Sequence, residues 1–152
     1  MGRKAQTHLK LYLTILLTCH TLTAASINTK NFGSMTVDEV TSVYDGDTFR
    51  ATIKAWPQLI GERIGIRING IDTPEMKGKC QAEKLLAREA KQHTVALLRD
   101  AKTVELRNMK RGKYFRVVAD VYVDGKSVGQ SLITSGLAVR YDGGTKTKDW
   151  CR

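Results

Sequence analysis

Proline is almost missing from this chain, with two residues in 152, and no low-complexity tract or internal repeat interrupts it. That excludes a proline-rich spacer and a repeat array, and leaves the length of one domain with one hydrophobic core. The apolar run Leu11 to Leu17, broken by Thr14, falls short of the roughly 20 residues a bilayer-spanning helix needs. Histidine is scarce as well: of three, His8 and His20 lie in the first 25 residues and His93 sits in a helical stripe, where it reads as packing. No serine or cysteine triad is visible. Acidic residues are too few to balance the basic ones, 15 against 25, for a formal net charge of +10. The excess points to a polyanionic partner, either nucleic acid or an anionic membrane surface.

What is present begins with a leader. Arg3, Lys4 and Lys10 precede the short apolar run, and Thr23-Ala24-Ala25 offers a small-residue cleavage site, so residues 1–25 read as a secretory signal peptide. The alternatives are an uncleaved anchor and lipidation at Cys19, where Thr18 is larger than the usual preceding residue. Cleavage after Ala25 removes those three basic residues and no acidic one, taking the net charge from +10 to +7. The expected location is then periplasmic or extracellular, with no stable membrane span left. Cleavage also removes Cys19, leaving Cys80 and Cys151. Two cysteines in an exported chain predict one disulfide, tying the C-terminus to the start of the first helix; two free thiols are the alternative.

Residues 26–36 are polar and read as a flexible lead-in to a domain over 37–152. Phe49, Ala51 and Ile53 alternate with polar residues, as do Ile64, Ile66 and Ile68, the period of half-buried strands. Trp56-Pro57 and Gly61 mark the connection between them. Ala82, Leu86, Ala90, His93 and Leu97 give one inward stripe of a helix from about Gln81 to Asp100. Strands follow at Thr103–Asn108 and Tyr114–Val123, the second with Phe115, Val117, Ala119, Val121 and Val123 on one face. Asp124-Gly125 is a turn. A short helix over Ser127–Ser135 ends at Gly136, and Leu137–Tyr141 forms a last strand. The order predicts an α+β fold, a five-stranded OB-fold barrel with packed helices.

Three polar clusters interrupt this pattern. In Tyr44-Asp45-Gly46-Asp47-Thr48, Asp-Gly is a turn signal, but Asp47 shares strand parity with Phe49 and Ala51. A carboxylate aimed along an apolar face needs a metal ion or an arginine beside it. The second cluster runs from Arg67 to Glu75, where Pro74 keeps Asp72 and Glu75 on extended or turned backbone. The third, Asn108 to Arg116, packs basic residues around a glycine and two aromatics, a composition suited to phosphates and stacked bases. Carboxylates on neighbouring strands make an oxygen-lined site for a hard cation. Two arginines from separate strands can grip one phosphate, and a further carboxylate can take a proton from water.

These clusters resemble the staphylococcal nuclease family, the thermonucleases. The resemblance runs from about Val37 to Tyr141 through Asp45-Gly46-Asp47-Thr48, Arg67 with Ile71-Asp72-Thr73-Pro74-Glu75, Lys113-Tyr114-Phe115-Arg116, Asp124-Gly125 and Gly136-Leu137-Ala138. It implies Ca²⁺ held by the Asp47 and Asp72 carboxylates and the Thr73 carbonyl. It implies Glu75 as general base, Arg67 and Arg116 on the scissile phosphate, and Lys113 and Tyr114 as substrate contacts. The expected activity is hydrolysis of DNA and RNA with low sequence specificity, by a monomer. Phe115 departs from the family pattern, standing where a glycine is usual, as do the long connection near Trp56 and the tail after Tyr141, read as a strap held by the disulfide. The alternative to an enzyme is a non-catalytic OB-fold module that binds nucleic acid.

Overall fold

The computed structural model describes residues 31–152. The expected leader, with Cys19, His8 and His20, and the lead-in up to residue 30 lie outside the described residues. Five strands of five to eight residues form the body: β2 (Glu39–Val43), β3 (Thr48–Thr52), β4 (Ile64–Ile68), β6 (Val104–Arg111) and β7 (Arg116–Val123). Two-residue segments finish the edges: β1 (Met35–Thr36), β5 (Ile71–Asp72), β8 (Lys126–Ser127) and β9 (Val139–Arg140). The main sheet runs β1-β6-β7-β4-β3-β2, with β8 on β7, and β5 pairs β9 separately. All pairings are antiparallel except β4 with β7. The result is the expected α+β, OB-like curled sheet with helices packed on it.

One face of the sheet builds the core. Phe49, Ala51, Ile66, Ile68, Ala119 and Val121 are buried, and α3 (Val128–Thr134) adds Val128 and Leu132. The other face carries Gly65 and Arg67 of β4 beside Arg116 and Val118 of β7, because the parallel register sets Gly65 against Arg116 and Arg67 against Val118. Side chains alternate along each strand, so paired residues share a face.

Several expectations need correction. The lead-in includes a strand, since Met35 and Thr36 pair with Leu106 and Glu105. The connection after β3 contains a one-turn helix, α1 (Gln58–Gly61). The main helix, α2 (Gln81–Arg99), buries Glu83, Ala87, Ala90, Thr94 and Leu98, one position round from the expected stripe. Of that stripe only Ala90 is buried; Ala82 is exposed, and Leu86, His93 and Leu97 are half-buried. The helix lies close against the Asp45–Asp47 turn, where small residues fit and leucine does not: a Cβ on Gly46 would come within 2.8 Å of the Ala90 Cβ. His93 bonds Ser131 at 2.8 Å and so joins α2 to α3. Finally, Tyr114 and Phe115 do not begin β7. Both are exposed, with φ of 56° and 57°, in the turn between β6 and β7.

Candidate active site

The Asp45–Thr48 turn is closed by backbone bonds from Tyr44 and Asp45 to the Thr48 carbonyl, and Asp45 accepts from the Asp47 amide at 3.2 Å. Thr94 of α2 donates to the Gly46 carbonyl at 2.7 Å, pinning the turn from beneath. Asp47 is thereby held just ahead of β3 and almost completely buried. Arg67, paired with Thr48 across β3 and β4, reaches its carboxylate at 2.6 Å, and Thr48 donates to the same oxygen at 2.8 Å. The arginine meets the demand that strand parity had placed on Asp47.

Asp72 ends β5 and is buried to the same degree. Its Oδ1 lies 3.9 Å from Arg67 Nη2 and 2.7 Å from Lys146 Nζ. The Lys146 ammonium is the near partner of this buried oxygen, and Arg67 stands too far off for a hydrogen bond. Thr73 beside it is also buried, whereas Glu75 is half exposed and accepts from Lys146 at 2.5 Å. Glu83 fixes the loop that carries Glu75: it accepts from the Glu75 amide at 3.3 Å and the Lys79 amide at 2.9 Å. A Cβ on Gly78 would strike the Glu83 carboxylate at 2.4 Å, so the loop packs onto that side chain only with glycine there.

The electrostatics record a surplus of negative charge. Asp45, Asp47, Asp72 and Glu75 face Arg67 and Lys146, which leaves a formal −2 with all groups ionised. Burial first, then the neighbouring Asp47 charge, pushes the Asp45 carboxyl from its ordinary 3.8 to about 7. Burial pushes Asp47 up as well, against the opposing pull of Arg67. Burial works against the Lys146 charge, but the contacts with Asp72 and Glu75 outweigh it and raise the ammonium above its ordinary range. Two buried carboxylates, Asp47 and Asp72, and a residual formal charge of −2 fit a hard divalent cation.

Arg116 approaches from β7 on the same sheet face as Arg67. Gly65 makes room for it, since a Cβ there would sit 2.9 Å from Arg116 Cγ. The Lys113 carbonyl accepts from Arg116 Nε at 3.4 Å, and the Arg116 guanidinium lies 5.6 Å from the Tyr114 ring centroid. Lys113 and Tyr114 stand exposed at the tip of the turn. Arg111 stacks over Phe115 at 5.0 Å. Phe115 takes a left-handed backbone that glycine would adopt freely, a strain of order 1 kcal/mol spent on presenting an aromatic ring outward. A cleft of about 660 Å³ between Tyr44, Arg50, Tyr114 and Arg116 adjoins a groove of about 360 Å³ walled by Phe32, Trp56 and Met109. Phe115 and Arg116 border both.

Cys80 and Cys151 are joined by a disulfide, Cα to Cα 6.0 Å. Glu83 lies near these sulfurs, but they are bonded to each other and form no metal cluster. Two residues with evident parts in the site escaped the sequence reading. Glu83 had a signal, a carboxylate three residues after the helix N-cap Cys80, whose side chain can reach back to free amides. Lys146 had none, because only the folded tail brings it 71 positions back to Glu75.

Residues 65–150, more than half of the chain, match the family model described as staphylococcal nuclease homologue. The chain is 32% identical over 118 residues to "Endonuclease YncB" of Bacillus subtilis, covering 76% of this chain and 52% of that protein. It is 32% identical over 129 residues to "Probable endonuclease lcl3" of Pyrenophora tritici-repentis, covering 70% and 47%. "SPbeta prophage-derived endonuclease YokF" of Bacillus subtilis is 35% identical over 96 residues, covering 62% and 30%. The chain thus spans about half the length of these relatives or less. With the family match laid over the β4-to-tail half of the site, the chain belongs to the staphylococcal nuclease homologue family.

Proposed function

We propose that this chain is an exported, Ca²⁺-dependent nuclease that hydrolyses phosphodiester bonds of DNA, RNA or both with low sequence specificity, acting as a monomer outside the cytoplasm. The observation that carries the reading is the pair of buried carboxylates Asp47 and Asp72 beside Arg67, with Glu75 joined to Asp72 through Lys146 and Arg116 on the same sheet face as Arg67. Asp47, Asp72 and the Thr73 carbonyl would hold the cation. When bound, Ca²⁺ supplies charge neutralisation at the phosphate and lowers the cost of forming a nucleophile from water.

The chain's own residues account for the rest. Arg67 and Arg116 carry planar guanidiniums from neighbouring strands, able to hold two phosphate oxygens and to stabilise the charge that grows as water attacks. Glu75 is solvent-accessible and keeps a free carboxylate oxygen, so it can accept the proton of that water. Nucleotides flanking the scissile phosphate would follow the cleft and groove on either side of Phe115, with Lys113 and Tyr114 at the edge of that path. The alternation of rings with arginines there suits bases and phosphates taken in turn.

Hydrolysis of plasmid DNA and total RNA, with Ca²⁺ and with excess chelator, tests the proposal. Degradation in calcium and none in chelator is expected. Salt-sensitive binding without cleavage under any divalent metal would make the protein a non-catalytic binding module instead.

A further inference from the structure

The strap after β9 does more than close the chain. It leaves the β5–β9 pair at Tyr141, whose amide donates to the Gly70 carbonyl at 3.0 Å. It turns through Gly143-Gly144, where the Tyr141 hydroxyl donates to the Gly144 carbonyl at 2.6 Å. Its far end is held by the buried Trp150 and the Cys80–Cys151 disulfide. Between these anchors every residue from Asp142 to Asp149 is exposed, yet Lys146 turns back onto Asp72 and Glu75. Its ammonium touches one carboxylate assigned to the cation and the one assigned to the base. Asp72 is almost fully buried, so water screens this contact far less than a surface pair.

We propose that Lys146 is a tail-borne positioning residue, a tethered counter-cation that competes for Asp72 with the bound divalent ion and sets how tightly that ion binds. The inference rests on the cation site argued above. With Lys146 in contact the carboxylates present a formal −2, and without it −3, so the lysine lowers the attraction for a divalent ion. The ammonium must move off Asp72 Oδ1, or share it, when the ion arrives. The disulfide matters because it keeps the lysine within reach: a freed tail would lose the effective concentration that the tether supplies. The same tether holds the ammonium near Glu75, where it can orient the carboxylate once its hold on Asp72 is released.

Calorimetric titration of CaCl₂ into the disulfide-intact protein, with no nucleic acid present, tests this. Lys146→Met is expected to bind Ca²⁺ about tenfold more tightly than the wild type, and Lys146→Arg, which keeps the charge, to stay within about twofold. The Cys80→Ser/Cys151→Ser double variant keeps the lysine but frees the tail. It is expected to tighten binding in the same direction by less, and it carries the test should Lys146→Met not fold. Equal or weaker Ca²⁺ affinity in Lys146→Met, or in the double variant standing in for it, would overturn the proposal. So would the absence of Ca²⁺ uptake by both wild type and variant. Cleavage of plasmid DNA, measured in parallel, separates the two readings: an active nuclease whose Ca²⁺ affinity ignores Lys146 overturns the role of the strap alone.

Discussion

Two of the chain's Asp-Gly pairs, Asp45-Gly46 and Asp124-Gly125, do opposite work. At Asp124-Gly125 both residues have positive φ, 48° and 78°, the backbone of a tight hairpin turn, and a Cβ on the glycine would meet nothing. The Asp124 carboxylate accepts from the amides of Lys102 and Thr103 and from the Thr103 hydroxyl, and these bonds hold it below its ordinary 3.8. At Asp45-Gly46 the glycine has no unusual φ and instead lets α2 and Thr73 come close. Asp45 accepts from a single amide, is buried, and is pushed up to about 7. One turn is rich in donors and complete in itself. The other is short of positive charge, which is the condition of a site made to receive a cation.

Substitutions can break this contrast. The largest effect is expected at Asp47→Asn, which removes a cation ligand and the partner of Arg67. Turnover should fall about a hundredfold or more, whereas Asp124→Asn should stay within about twofold, as initial rates on denatured DNA would show. Gly46→Ala should cost up to about 3 kcal/mol, because its methyl would lie 2.8 Å from the Ala90 Cβ and 2.9 Å from the Thr73 Cγ2. Urea midpoints read that loss.

The two carboxyls should also leave opposite marks on stability against pH. The fold keeps Asp45 protonated where the unfolded chain has already lost the proton, so in chelator stability should fall as pH rises from about 4 to about 7. Asp124 is depressed, so its contribution is present above about 4 and disappears as pH drops below. Urea midpoints across pH 3 to 8 would show both arms, with Asp45→Asn flattening the first and Asp124→Asn the second. The smallest effect is Gly125→Ala, about 1 kcal/mol from left-handed strain alone, with activity unchanged.

Both turns were visible in the sequence, but their difference was only half visible. Strand parity marked Asp47 as facing inward, because alternation along Phe49, Ala51 and Ile53 is a local property. No local pattern says that α2 presses on Gly46, so a stripe through Leu86 and Leu97 misses the contact, which Ala90 and Thr94 make. Phe115 misled for a similar reason: it continues the alternation of Val117 and Ala119, yet it lies in a left-handed turn that only the hairpin geometry reveals. The order of strands and helices followed from periodicity, whereas Lys146 depended on a contact 71 positions away that no spacing rule encodes.

The central claim is that the carboxylate cluster is a hydrolytic centre and that Glu75 takes the proton from water. The most direct test is the turnover of Glu75→Gln set beside its affinity for a labelled single-stranded oligonucleotide. The account predicts that turnover falls by at least about a hundredfold while the affinity stays within a few-fold of wild type, since the change removes a base and no phosphate contact. A variant that cleaves at close to the wild-type rate would contradict it.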